Sequence, residues 1–122
     1  MPRSEILDLD VLREMGVVSG DEPGSETAEI IRIFLREERP RLAQLAALAD
    51  QRNGVELGRA AHNMAGSCAI LGARQAHRLA IALEHAANSA AWGEVKAQLA
   101  ALRDAWARLE AALAEYRGGR RA

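Results

Sequence analysis

The sequence predicts an all-α protein: an antiparallel up-and-down four-helix bundle with a short additional N-terminal helix. Three observations point there. Alanine fills 26 of the 122 positions, while the chain has one Phe, one Tyr and two Trp, a composition poor in the aromatic and β-branched residues that strands favour. Ten glycines, at 16, 20, 24, 54, 58, 66, 72, 93, 118 and 119, leave the stretches 25–53, 73–92 and 94–117 free of any, as long helices require. Within and between those stretches, apolar residues recur at steps of three and four.

Each element has its own justification. Asp8 to Met15 reads as a short helix stopped by Gly16, followed by a loop from Val17 to Gly24 that contains Pro23. The next helix opens at Ser25, a capping residue followed by Glu26 and Glu29, and buries Ile30, Ile31, Phe34, Leu42 and Leu45. Pro40 interrupts it, which predicts a kink or two helices in tandem. From 54 to 72 the seam is Leu57, Ala61, Met64, Cys68 and Leu71. The following helix uses Ala76, Leu79 or Ala80, Leu83 and Ala87, and the last uses Val95, Leu99, Leu102, Trp106, Leu109, Leu113 and Tyr116. The whole, 1–122, is one domain: short helix and loop over 1–24, bundle over 25–117, and a frayed tail over 118–122.

Composition excludes several functions. Sixteen basic and seventeen acidic residues give a net charge of −1, without the basic footprint of a nucleic-acid binder. A lone cysteine, Cys68, rules out an internal disulfide and a thiolate zinc site, and fits a reducing, cytoplasmic setting. Met1 to Asp10 is charged, and no run of 18 uncharged apolar residues follows, so the expectation is a chain neither exported nor in a membrane. His77 and His85, eight apart, lack the i, i+4 spacing of a metal pair and read as solvated surface histidines; no metal site is expected. Ser67 has no nucleophile-elbow context and Cys68 lies on a buried seam, so neither reads as a nucleophile. Arg36, Glu37, Glu38, Arg39 and Arg41 read as a solvated face around the kink.

The chemistry sits beside the 54–72 seam, on the stripe Gly58, His62, Ala65 with Gly66, and Ala69. One functional side chain stands among residues that have almost none. A mid-helix glycine costs about 1 kcal/mol relative to alanine, so Gly66, one turn after His62, needs a reason. Either a neighbouring helix packs closely here, or another protein must approach the His62 ring.

The string His62-Asn63-Met64-Ala65-Gly66-Ser67-Cys68-Ala69-Ile70-Leu71-Gly72-Ala73 resembles the signature of histidine-containing phosphotransfer (HPt) domains of bacterial-type phosphorelays. In that family the phosphorylated histidine precedes a Lys-Gly-Ser run and an aliphatic-Gly-Ala helix end. Leu79 and the pair Leu83-Glu84 fall where the family usually has its next apolar positions and its Leu-Glu pair. The resemblance implies a phosphocarrier that is not an enzyme. His62 is the acceptor, taking a phosphoryl group from a receiver-domain aspartate and passing it to another receiver. It further implies docking of response-regulator receivers and a hybrid sensor histidine kinase over Gly58, Arg59, Asn63, Ala65, Gly66 and Ala69. The chain itself binds no cofactor, Mg²⁺ being expected on the receiver, and works as a monomer. One departure stands out: Ala65 occupies the place of the usual lysine, leaving Arg59, Arg74 and Arg78 as candidates to balance phosphoryl charge. The alternative is a phosphorylation-independent, degenerate HPt-like helical adaptor that binds a receiver or kinase domain.

Overall fold

The computed structural model describes residues 2–14 and 25–117. Six helices appear in chain order: α1 (Arg3–Ile6), α2 (Leu9–Glu14), α3 (Ser25–Asp50), α4 (Gly54–Leu71), α5 (Arg74–Asn88) and α6 (Trp92–Arg117). There is no strand among the described residues. The expected stop at Met15–Gly16, the loop 17–24, the Ser25 cap, the Tyr116 side chain and the tail 118–122 lie outside what is described.

The turns between the long helices are three residues or fewer, so successive helices are antiparallel. Each contains a left-handed residue one place before its end, Arg52 (φ 53), Gly72 (φ 87) or Ala90 (φ 54). The following N–H then reaches back to the last turn: Asn53 to Leu48 O at 3.0 Å, Ala73 to Cys68 O at 2.9 Å and Ala91 to Ala86 O at 2.9 Å. Asn53 also caps α4 by accepting from the Glu56 N–H at 3.2 Å. Helix α4 packs on α3 and α5, and α6 closes the square against α5 and α3. The core is Ile31, Leu45, Leu57, Met64, Leu71, Leu83, Leu102, Leu109 and Leu113, with Phe34 stacked on Trp106 at 5.5 Å. Ala60, Ala61, Ala65, Ala76, Ala80, Ala86 and Ala87 are buried as well. The alanine content thus lets α4 and α5 approach closely.

Four expectations need correction. First, α3 runs through Pro40 as one helix, so the tandem alternative falls. Pro40 lies on the exposed side, and the residues before and after it are anchored by Phe34, Leu35 and Leu45 in the core. Second, Glu38 is not on a solvated face. It is 2 % exposed and both its oxygens take the Arg41 guanidinium, at 2.9 and 3.0 Å. Arg39 instead reaches α6 and pairs with Glu110, which also accepts from the Trp106 indole at 2.5 Å.

Third, the N-terminal element is two short helices instead of one. Leu7 is buried between them, and Asp8 accepts from the Asp10 N–H at 3.0 Å to start α2. The Asp8 N–H donates to Gly72 O at 2.8 Å, and the Asp8 carboxylate takes Arg74 at 2.8 Å. That guanidinium holds the Asp8 carboxyl below its ordinary range. The tie is therefore fully present above the ordinary carboxylate pKa and is lost as pH falls through the lowered one. Fourth, His77 is half-buried, and its Nδ1 stands 2.9 Å from Ala65 O. A carbonyl only accepts, so this nitrogen carries the proton. His85 is exposed, as expected.

Candidate functional site

His62 occupies the middle of α4, with its side chain 69 % exposed. Its Nδ1 lies 3.3 and 3.2 Å from the two oxygens of Glu84 on α5. An ionised carboxylate can only accept, so Nδ1–H donates and the lone pair resides on Nε2. Nε2 has no partner among the described residues, and lies across the ring from the contact that orients it. Glu84 was noticed in the sequence only as half of a Leu-Glu pair. A geometric signal was available: His62 and Glu84 are equidistant from Ala73, and an antiparallel hairpin folded there places such residues opposite each other. Gly58 and Asn88 obey the same rule, and a Cβ on Gly58 would stand 2.5 Å from Asn88 Oδ1.

The expected docking residues divide into two sets. Arg59, Asn63, Gly66 and Ala69 are exposed with His62, and a Cβ built on Gly66 meets nothing within 4 Å. The glycine opens space above the helix and is not there to admit a neighbour. Val55 and Ile70, at 69 % and 58 % exposure, extend this face as apolar flanks that the sequence reading missed. Gly58 and Ala65 do not belong to it. Both are buried in the α4–α5 seam, where small side chains permit the close helix approach, and a partner cannot touch them.

The candidate cations divide likewise. Arg59 is exposed, one turn before His62, and makes no ion pair among the described residues. Arg74 is held by Asp8 and Arg78 by Glu5 at 2.5 Å. With His77 they line a pocket at the α4–α5 turn, beside Ala69 and Val11, and Ala69 is about 10 Å along α4 from His62. Each arginine is thus engaged by a carboxylate of the N-terminal segment, whereas Arg59 has no such partner among the described residues. Cys68 is buried on the opposite side of α4, and burial pushes its thiol up to about 12, with the nearby Glu38 charge acting in the same direction. It remains a neutral core thiol at physiological pH. Among the described residues no three His, Cys, Asp or Glu side chains converge to hold a metal, and no helix is long and apolar enough to cross a membrane.

The structure is thus a helical bundle that presents an exposed, oriented imidazole beside the open space over Gly66. The Hpt domain family model matches residues 29–117 of this chain, and the protein belongs to that family. Hpt domains are histidine phosphotransfer modules of two-component phosphorelays that interact with receiver domains and kinases; they are phosphocarriers and not classical enzymes. Neither a curated protein nor a solved structure gave a match.

Proposed function

We propose that this chain is a cytoplasmic phosphorelay intermediate that accepts a phosphoryl group on Nε2 of His62 from a receiver-domain aspartate and passes it to another receiver. The observation that carries the reading is the pairing of an anchored Nδ1 with an unpartnered Nε2 beside the open space at Gly66. A neutral imidazole is already a nucleophile, so the bundle's task is in-line presentation of one nitrogen. Mg²⁺, bound by the receiver, supplies charge stabilisation to the acyl phosphate, and no residue of this chain is needed to hold it. Docking uses the exposed set Val55, Arg59, Asn63, Gly66, Ala69 and Ile70 around His62.

The test incubates the protein with a ³²P-labelled, phosphorylated receiver. Transfer of an acid-labile, alkali-stable label to this chain is the expected result. Stable binding of the receiver with no transfer at any time point would favour the adaptor reading instead, to which the absence of a lysine at Ala65 lends its support.

Two substitutions probe the face. Gly66→Gln is expected to leave the melting temperature unchanged or slightly raised, since helix propensity improves by roughly 0.5–1 kcal/mol and nothing is displaced. The same change should weaken receiver binding at least tenfold by steric obstruction. Unchanged affinity in a titration calorimeter would move docking off this face. Arg59→Ala should slow single-turnover transfer several-fold, with Arg59→Lys restoring most of the rate, because Arg59 is an exposed cation one turn from His62 with no ion pair among the described residues. Equal rates for all three proteins would show that this face needs no cation of its own.

A further inference from the structure

We propose that Glu84 holds the ring of phosphorylated His62 in its protonated, transfer-ready form, so that this carboxylate sets the pH range over which the phosphoryl group can leave. The inference rests on the phosphocarrier reading and deepens it from which atom is phosphorylated to what controls discharge.

The geometry is specific. Both Glu84 oxygens are within 3.3 Å of Nδ1, and the carboxylate is 20 % exposed. Glu84 makes no other hydrogen bond or ion pair among the described residues. The other charged groups around the ring do not duplicate this contact. On α4, Arg59 is a turn away on the solvent side. On α5, His85 is exposed beside Glu84, His77 is committed to Ala65 O, and Arg74 and Arg78 are paired with Asp8 and Glu5. On α3, Glu38 and Arg41 pair with each other, and Asp8 and Asp10 belong to the N-terminal segment at the far end of α4.

The transfer step balances around this contact. Neutral His62 carries its proton on Nδ1, donated to Glu84. The Nε2 lone pair attacks phosphorus and forms the N–P bond. The P–O bond of the donor aspartyl phosphate breaks, and its electron pair leaves with the aspartate carboxylate. The ring is now an imidazolium with its proton still on Nδ1. In the onward transfer an aspartate oxygen of the next receiver, or water in spontaneous loss, forms the new P–O bond as the N–P bond breaks; the N–P electron pair returns to Nε2 and a neutral imidazole departs. Had the phosphorylated ring lost the Nδ1 proton to water, the departing group would be an imidazolate, a far poorer leaving group. An opposite charge at hydrogen-bond distance favours the protonated form and widens the pH range in which it persists.

Wild type, Glu84→Gln and Glu84→Ala would each be loaded with phosphoramidate, a small phosphodonor that needs no docking surface. The proton resonance on Cε1 of phospho-His62 would be titrated by NMR, and loss of phosphate to water timed across the same pH range. Both variants should titrate about one pH unit below wild type, and between the two midpoints their discharge should be up to tenfold slower. Gln keeps an acceptor for Nδ1–H without the charge, so a Gln variant that titrates with wild type would overturn the proposal by reducing Glu84 to a steric guide. Coincident midpoints in all three proteins would overturn it equally, leaving the phosphocarrier reading intact. Failure of phosphoramidate to label His62 in any of the three, with helical circular dichroism unchanged, would overturn that reading and this proposal together.

Discussion

His62→Gln is expected to abolish phosphoryl labelling, a loss of at least a thousandfold, while leaving the bundle intact. The side chain is 69 % exposed and its polar partner among the described residues is Glu84, and exposed substitutions of this kind move stability by no more than about 0.5 kcal/mol. The melting temperature should therefore shift by less than about 4 °C. Gln has no lone-pair nitrogen to attack phosphorus, so the loss is chemical and not steric. The remaining histidines cannot substitute in the same geometry. His77 has its Nδ1 committed to Ala65 O in a half-buried position, and the ring of His85, though exposed, has no hydrogen-bond partner among the described residues to orient it. Labelling of the His62→Gln protein at a wild-type rate would falsify the assignment of the acceptor and send the search to His85.

The same stripe shows what the sequence could and could not reveal. Apolar residues recurring at steps of three and four located all four long helices, because that spacing puts them on one face that packing can bury. The helix stop at Gly72 was legible from glycine punctuation and from the Gly-Ala helix end that the resemblance implied, and the structure puts Gly72 in the left-handed region. Small residues carry no such directional information. Gly58 and Gly66 are alike in sequence, two turns apart on neighbouring faces of α4, yet one is pressed against Asn88 and the other looks into open space. Ala65 and Ala69 divide in the same way, the first buried against α5 and the second exposed. A glycine or alanine suits both a tight interhelical seam and a cleared docking face, so only the position of α5 separates them. Glu38 posed the converse difficulty. A glutamate within a run of charges reads as solvated, and its burial depends on Arg41 being placed to take both of its oxygens. The Glu84 contact joins residues 22 apart in sequence and became visible only once the turn at Gly72–Ala73 set the register of the hairpin.

That turn is the subject of the second large effect. Gly72→Ala should destabilise the protein by about 2–3 kcal/mol, because two penalties coincide at one atom. At φ 87 an L side chain carries roughly 1–2 kcal/mol of backbone strain. In addition, the new Cβ would lie 2.6 Å from the backbone oxygen of Asp8 and 3.1 Å from Val11 Cβ. A backbone carbonyl cannot swing aside as the end of a long side chain can, so the N-terminal segment must move. Its Asp8 N–H to Gly72 O bond at 2.8 Å and the Asp8–Arg74 pair are then strained, and Leu7 loses part of its cover. For a chain of this size the melting temperature should fall by roughly 10 °C. Ala90→Gly is the matched control. There an alanine already tolerates φ 54, and relief of strain offset by greater freedom of the unfolded chain should leave stability within about 1 kcal/mol of wild type. Below its melting temperature the Gly72→Ala protein should still label on His62, because the histidine and Glu84 sit more than two turns from the disturbed contact. Thermal denaturation of the two variants, followed by labelling at low temperature, checks both halves. If Gly72→Ala melts with wild type, the close approach of Asp8 to the turn does not hold the N-terminal segment. If it folds but loses labelling, the α4–α5 turn governs the geometry of the His62–Glu84 pair as well as the stability of the bundle.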